Sequence, residues 1–203
     1  MAAAASVGSP THARAGRWTG GYAGSGKTQL GRIIASHTHW PLLDKDSTTR
    51  AVVEAALEAI GSSPHDRDSE LYKTVVRPAE YVALMTAVLE NIECGSSVVA
   101  TAPFITELAD PAWCEEARDR VEAAGGRMEV VWVRCDADSM RRYIRYRGAA
   151  RDAAKLADWD GYIAGVDLDY APVVDHQIVE NNAALRSLQE QGEKLLARVI
   201  ADE

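Results

Sequence analysis

The 203-residue chain has little of several things that would direct a reading of its function. It carries three cysteines, Cys94, Cys114 and Cys135. They are odd in number, widely separated and without metal-ligand spacing, so they read as reduced thiols of a cytoplasmic protein rather than as a disulfide framework or a zinc site. No apolar run approaches the ~20 residues of a membrane span. The alanine-rich start, Ala2 to Val7, is too short for a signal-peptide core of at least ~7 residues followed by a cleavage site, and residues 1–16 are expected to form a loosely ordered tail. Basic excess is absent too: a formal charge of −8 and a pI near 5.2 argue against long nucleic acid and anionic membrane as partners. His37 and His39 have no third ligand near them in sequence, and there is no internal repeat, linker or low-complexity block. The length suits a single domain, taken as 17–203.

Against this background one stretch stands out. Gly21-Tyr22-Ala23-Gly24-Ser25-Gly26-Lys27-Thr28 fits GxxxxGK[ST] at every fixed position and leads directly into the amphipathic run Gln29 to Thr38. Glycines let the backbone curl until several N–H groups face one point, and the positive end of the following helix faces the same point. In such a loop Lys27 reaches the β- and γ-phosphates of a triphosphate and the Thr28 hydroxyl ligates Mg²⁺. Gly21, Ala23, Gly24, Ser25, Gly26, Lys27, Thr28 and Gln29 are therefore the expected nucleotide-binding residues.

Strand and helix patterns alternate along the rest of the chain. A short, polar strand precedes the loop, around Arg17 to Gly20. Leu30, Ile33 and Ile34 give the loop's helix a core face. Trp40 to Asp44 reads as a brief buried strand, with Ser47 as N-cap of a helix over Arg50 to Ile60. A helical region from Asp68 to Glu93 is interrupted at Pro78. Strands follow at Ser97 to Pro103, Arg127 to Cys135 and His176 to Val179, with helices over Pro111 to Ala124, after Asp136, and over Ala183 to Ala201. This alternation predicts an α/β fold of right-handed βαβ units around a parallel sheet.

Ligands of open parallel sheets bind beyond the carboxyl ends of the strands, which draws attention to Asp44 and Asp46. Asp46 is expected to be the carboxylate that orients an acceptor hydroxyl and takes its proton. Asp44 is expected to support Mg²⁺ or the acceptor. Arg50, Arg77 and Tyr81 are further acceptor-side candidates. Thr101 ends the third strand, where a Walker-B aspartate would ordinarily stand. An arginine-dense segment, Arg141, Arg142, Arg145, Arg147 and Arg151, suits a lid around 140–156 that closes over the transferring phosphate; Arg147 and Arg151 are the leading phosphate contacts, with Arg142 as a further one.

These motifs resemble the P-loop small-molecule kinases, the family of chloramphenicol phosphotransferase, zeta toxin, gluconate kinase, shikimate kinase and the kinase domain of polynucleotide kinases. The resemblance spans about Trp18 to Glu203. It rests on Gly21 to Thr28, on Leu43-Asp44-Lys45-Asp46-Ser47 and on Arg142 through Arg151. It implies a five-stranded parallel sheet of order 2-3-1-4-5 with helices on both faces, ATP and Mg²⁺ as cofactors, and a loop at Glu180-Asn181-Asn182 near the adenine, with Asn181 among the contacts. The implied activity is transfer of the γ-phosphate to a hydroxyl of a small soluble metabolite, antibiotic or nucleoside-like acceptor, by a monomer or homodimer. A nucleotide or polynucleotide kinase is the alternative within the enzyme class. A nucleotide-dependent switch is the alternative outside it, although the chain carries no NKxD guanine motif and no AAA-type arginine-finger segment.

Overall fold

The computed structural model describes residues 14–182 and 187–201. Residues 1–13 of the tail expected over 1–16, and the start of the expected final helix, 183–186, lie outside them. Five strands, β1 (Arg14–Gly20), β2 (Leu42–Asp44), β3 (Val98–Thr101), β4 (Gly126–Arg134) and β5 (His176–Glu180), pair in parallel in the order β2-β3-β1-β4-β5. The main helices are α1 (Lys27–Thr38), α2 (Lys45–Ala59), α3 (Arg77–Glu93), α4 (Pro111–Ala123) and α5 (Ala137–Arg147). Two short helices, α6 (Ala153–Ala157) and α7 (Trp159–Ala164), follow, and α8 (Leu188–Ala201) closes the chain.

Each sheet face has its own core, as a sheet covered on both sides requires. On one face Trp18, Val98, Ala100, Val130 and Trp132 pack beneath Leu84, Val88 and Ile92 of α3 and Val121 of α4. On the other, Val99, Val131, Val133 and Val179 meet Leu30 and Ile34 of α1 and Leu195 and Leu196 of α8. Helix α1 sits close enough to the sheet that a Cβ at Gly31 would lie 2.5 Å from Thr101 Cγ2. The side-chain-free position lets the phosphate-loop helix settle over the end of β3.

The strand that enters the loop is longer than its composition suggests. It starts at Arg14, so residues 14–16 belong to the sheet and not to the expected tail, and it is buried from Ala15 onward. Arg17 is fully buried because β4 supplies a counter-charge: its guanidinium pairs with Glu129, with Nε 2.9 Å from Oε2, and lies 5.7 Å from the centre of the Trp40 ring. A buried charge is tolerated when paired and hydrogen-bonded.

Helix α2 also differs from the expectation. Asp44, not Ser47, is its N-cap: the Asp44 carboxylate accepts from the Ser47 amide at 2.8 Å, and the helix starts at Lys45. Between α2 and α3 the chain makes a π-helical turn over Tyr72–Val76, which places Pro78 in the first turn of α3, where its missing N–H is harmless.

Candidate active site

The carboxyl ends of β1, β2 and β3, the start of α2 and the end of α5 surround one cavity of about 710 Å³. Gly24, Gly26, Lys27, Thr28 and Gln29 form its floor on the loop side. The loop's curl needs glycine. Gly24 has φ +81°, and a Cβ there would meet Met140 O at 2.9 Å and Ile144 Cγ1 at 2.8 Å, so the loop is held against α5. Asn181, just past β5, braces it from the other side by donating its side-chain amide to Ser25 O at 2.8 Å.

Lys27 turns back over its own loop, Nζ 3.4 Å from Tyr22 O. Desolvation at the base of the cavity lowers its ammonium from 10.5 to about 8; Arg147 and Arg151 act in the same direction, and Asp46 and Asp44 oppose them. A triphosphate would supply the anionic partner this cation lacks.

The acidic residue missing from the end of β3 is provided by the neighbouring strand. Asp44 stands opposite Thr101 in the β2–β3 register, and Asp44 Oδ2 accepts from Thr101 Oγ1 at 2.6 Å and from Thr28 Oγ1 at 2.9 Å. Burial pushes the Asp44 carboxyl upward, but these two hydroxyls and the Ser47 amide outweigh it and hold the group below its ordinary value. An ionised carboxylate beside the loop threonine is a hard oxygen donor set. It fits Mg²⁺, which takes few protein ligands and shares its remaining positions with phosphate and water.

Asp46, one residue into α2, lines the same cavity and is gripped at both oxygens. Lys45 Nζ is 3.2 Å from Oδ1 and Arg151 is 3.2 Å from Oδ2. Burial opposes ionisation of Asp46, yet Lys45, Arg151 and Lys27 together keep its carboxyl below the usual range. Lys45 is in turn anchored in the core. Its ammonium is 2.9 Å from Glu80 Oε2, and Glu80 also accepts from Tyr72 Oη at 2.8 Å and Thr49 Oγ1 at 2.6 Å. The pair is buried, at 4% exposure for both residues. Sequence reading missed this network, since Lys45 between two aspartates reads as a solvated charge and its partner lies 35 residues further along the chain.

On the opposite wall the segment after α5 is pinned by Asp152, which is 1% exposed. Arg147 donates to it from Nε at 3.0 Å, and Lys155 lies 3.6 Å away. Arg147 and Arg151 both line the cavity, as do Tyr143 and Tyr146, two aromatic residues that the motif reading left out. Arg50 and Arg32 line it too.

The remaining candidates are placed elsewhere. Arg77 is committed to Glu107, with N–O distances of 2.7 and 2.9 Å, and stacks 4.6 Å from the centre of the Tyr81 ring. The Tyr81 hydroxyl accepts from the Phe104 amide at 3.1 Å. Both residues support the turn after β3 and do not line the cavity. Gly21, Ala23 and Ser25 are not among the residues that line the cavity, and Arg142 points away, over the Tyr143 ring and onto Ser139. Among the described residues no helix is long and apolar enough to cross a membrane, and the three cysteines are free.

A family model described as an AAA domain matches residues 18–168. The chain belongs to this family. The AAA-domain match runs from within β1 to just beyond α7, so it contains the phosphate loop, both aspartates and the arginine segment. Among solved structures, a candidate kinase from Chloroflexus aurantiacus superposes with a TM-score of 0.62 at 15% identity, over 91% of this chain and 97% of that one. The APS kinase of Mycobacterium tuberculosis, solved with AMPPNP and APS, gives 0.55 at 18% identity over 93% and 98%. A gluconokinase from Sinorhizobium meliloti gives 0.54 at 13% identity over 93% and 94%. At these identities the likeness is one of fold, a P-loop arrangement shared along nearly the whole length of each chain. No curated protein sequence matches.

Proposed function

We propose that the protein is a cytoplasmic ATP-dependent phosphotransferase that moves the γ-phosphate to a hydroxyl of a small soluble acceptor. The observation that carries this reading is that Asp46 faces the same cavity as Lys27 and Thr28, with the guanidinium of Arg151 already at its carboxylate. A switch protein needs only the triphosphate side. A carboxylate held ionised across the cavity from the phosphate loop is what a phosphoryl acceptor needs.

In this reading the acceptor hydroxyl replaces Arg151 at Asp46 Oδ2. Asp46 aligns the hydroxyl oxygen with the γ-phosphorus and takes its proton as the new O–P bond forms and the bond to the β-phosphate oxygen breaks, with ADP leaving. A base of depressed pKa suits a loose transition state, in which the proton moves late and positioning matters more than basicity. Arg151, freed from Asp46, and Arg147, held by Asp152, are within the same cavity to stabilise charge on the transferring group. Mg²⁺, for which Thr28 and Asp44 are the fitting ligands, supplies charge neutralisation on the phosphates when bound. The reading finds support in the family membership and in the fold shared with an APS kinase and a gluconokinase.

The test is ADP release by the purified protein with a panel of hydroxylated acceptors, with phosphorylated product identified by mass spectrometry. Acceptor-dependent ADP and a product heavier by one phosphoryl group are expected. Free phosphate released at the same rate with and without every acceptor would remove the proposal in favour of a switch.

A further inference from the structure

The cavity has the opposite electrostatic character to the molecule that contains it. On a chain of net charge −8, its charged lining is five cations, Lys27, Arg32, Arg50, Arg147 and Arg151, against two anions, Asp44 and Asp46. Most of these have assigned partners. Lys27 lies in the phosphate loop, Arg147 is tied to Asp152 and Arg151 to Asp46. Asp46 itself is doubly countered, by Arg151 and by the buried Lys45. Arg50 is different. It stands four residues after Asp46 on α2, on the same helix face, and its guanidinium has no hydrogen bond or ion pair with any described residue. The Ser47 hydroxyl, also at the cavity, has no partner among the described residues. Arg32 is likewise unpaired, but it projects from α1 one turn beyond Thr28, the residue of the phosphate side.

We propose that Arg50 is the anion-binding half of the acceptor subsite, so that the acceptor is a small hydroxylated molecule bearing a carboxylate or phosphate group. This rests on the phosphotransferase reading above. Residues four apart on a helix have Cβ atoms about 5–6 Å from each other. A hydroxyl seated on Asp46 therefore places a group only a few bonds further along the acceptor within reach of Arg50. A guanidinium presents paired donors that match the two oxygens of a carboxylate or phosphate, which a neutral polyol does not offer. Arg50 is exposed at the cavity, so its charge faces water when a neutral acceptor is bound. An anionic one neutralises it, and the basic lining draws such a molecule into an otherwise acidic protein.

The experiment uses the full chain saturated with AMPPNP and Mg²⁺, and matched pairs of compounds: aldonates with their alditols for the carboxylate, and sugar phosphates with their parent sugars for the phosphate. Binding is followed by thermal shift and turnover with ATP by ADP release and mass spectrometry, for wild type and Arg50→Gln. In at least one arm the anionic member is expected to bind about tenfold or more tightly than its neutral partner, and the arm that responds identifies the oxyanion. Arg50→Gln should weaken the anionic member about 10- to 100-fold, the range for a lost hydrogen bond to a charged group, with KM for ATP and binding of the neutral members unmoved. Wild type that binds neutral members as tightly as anionic ones, or binds no anionic member, overturns the proposal, as does an Arg50→Gln effect equal on both. Arg50-dependent binding without a phosphorylated product leaves the subsite standing and removes the phosphotransferase reading. Phosphorylation of neutral acceptors alone does the reverse.

Discussion

Arg151, in the turn that follows α5, closes onto Asp46 at the start of α2, its guanidinium nitrogen 3.2 Å from Oδ2. The contact joins the two walls of the cavity. Lys45 holds the other carboxylate oxygen but is buried and fixed by Glu80, whereas Arg151 keeps 20% of its side chain exposed. Of the two cations, Arg151 is the one free to leave. Replacing it with Gln is expected to lower kcat about 10²- to 10³-fold, the cost of losing one preorganised donor to the transferring group. It should also move the acid limb of kcat/KM to higher pH, because Asp46 loses a cation that favours its ionised form. A pH–rate profile reads both effects, and an acid limb that stays in place would argue that the contact is incidental.

Asp46→Asn removes the group that orients and deprotonates the acceptor while keeping its shape. A loss of about 10²- to 10⁴-fold in kcat is expected, with little change in KM for ATP, since Lys27 and Thr28 are untouched. Steady-state kinetics with each substrate varied in turn separates the two.

Lys27, with its ammonium lowered to about 8, gives nucleotide binding a pH dependence of definite sign. Below pH 8 the free protein already carries the charge, so affinity for ATP should be nearly flat. Above it, the lysine must take up a proton on binding, and affinity should fall by up to about tenfold per pH unit until the pKa of the bound form is reached. Calorimetry in buffers of different ionisation enthalpy should detect that uptake. Lys27→Arg, charged throughout this range, should bind more weakly and without the pH dependence.

Asp44 accepts hydroxyl hydrogen bonds from both Thr28 and Thr101, so Asp44→Asn should act on the metal before it acts on the acceptor. The Mg²⁺ concentration for half-maximal activity is expected to rise about 10- to 100-fold. A metal titration at saturating ATP and acceptor is the measurement.

The buried pair Lys45–Glu80 is a stability element as well as a support for Asp46. Glu80→Ala removes the buried counter-charge of Lys45, leaving the ammonium only the half-exposed Asp46 carboxylate, and should cost up to about 3–5 kcal/mol in denaturant unfolding. The double variant Lys45→Met, Glu80→Leu should be the more stable of the two, yet should still lose activity because Asp46 loses its fixed cation.

Much of this was legible in the sequence where chemistry dictates residue type locally. Gly21 to Thr28 could be read because a phosphate cradle needs glycines and a Lys-Thr pair in fixed order, and the sheet order followed from the resemblance that this loop and Asp44-Lys45-Asp46 carry. What could not be read depended on distant partners. Arg17 and Thr19 made β1 look too polar for a central strand, because Glu129, 112 residues away from Arg17, supplies the compensating charge. Arg77 and Tyr81 had the right residue types for an acceptor site, but Glu107 and the Phe104 amide, 30 and 23 residues along, engage them instead. Ser47 was a reasonable N-cap by composition; Asp44 took that role because β2 ends one residue before the helix begins. Asp44 was legible as a Mg²⁺ or acceptor residue from its place at a strand end, but not that Thr101, aligned with it across the sheet, would share its carboxylate with Thr28.

The most direct check on the central claim is to incubate the protein with ATP labelled in the γ-phosphate, Mg²⁺ and an extract of small metabolites, and to follow where the label goes. Label is expected in a low-molecular-mass phosphorylated compound, in amounts equal to the ADP formed, with wild type but not with Asp46→Asn. Label found only in inorganic phosphate, at equal rates for both proteins, would contradict a donor and an acceptor meeting in this cavity.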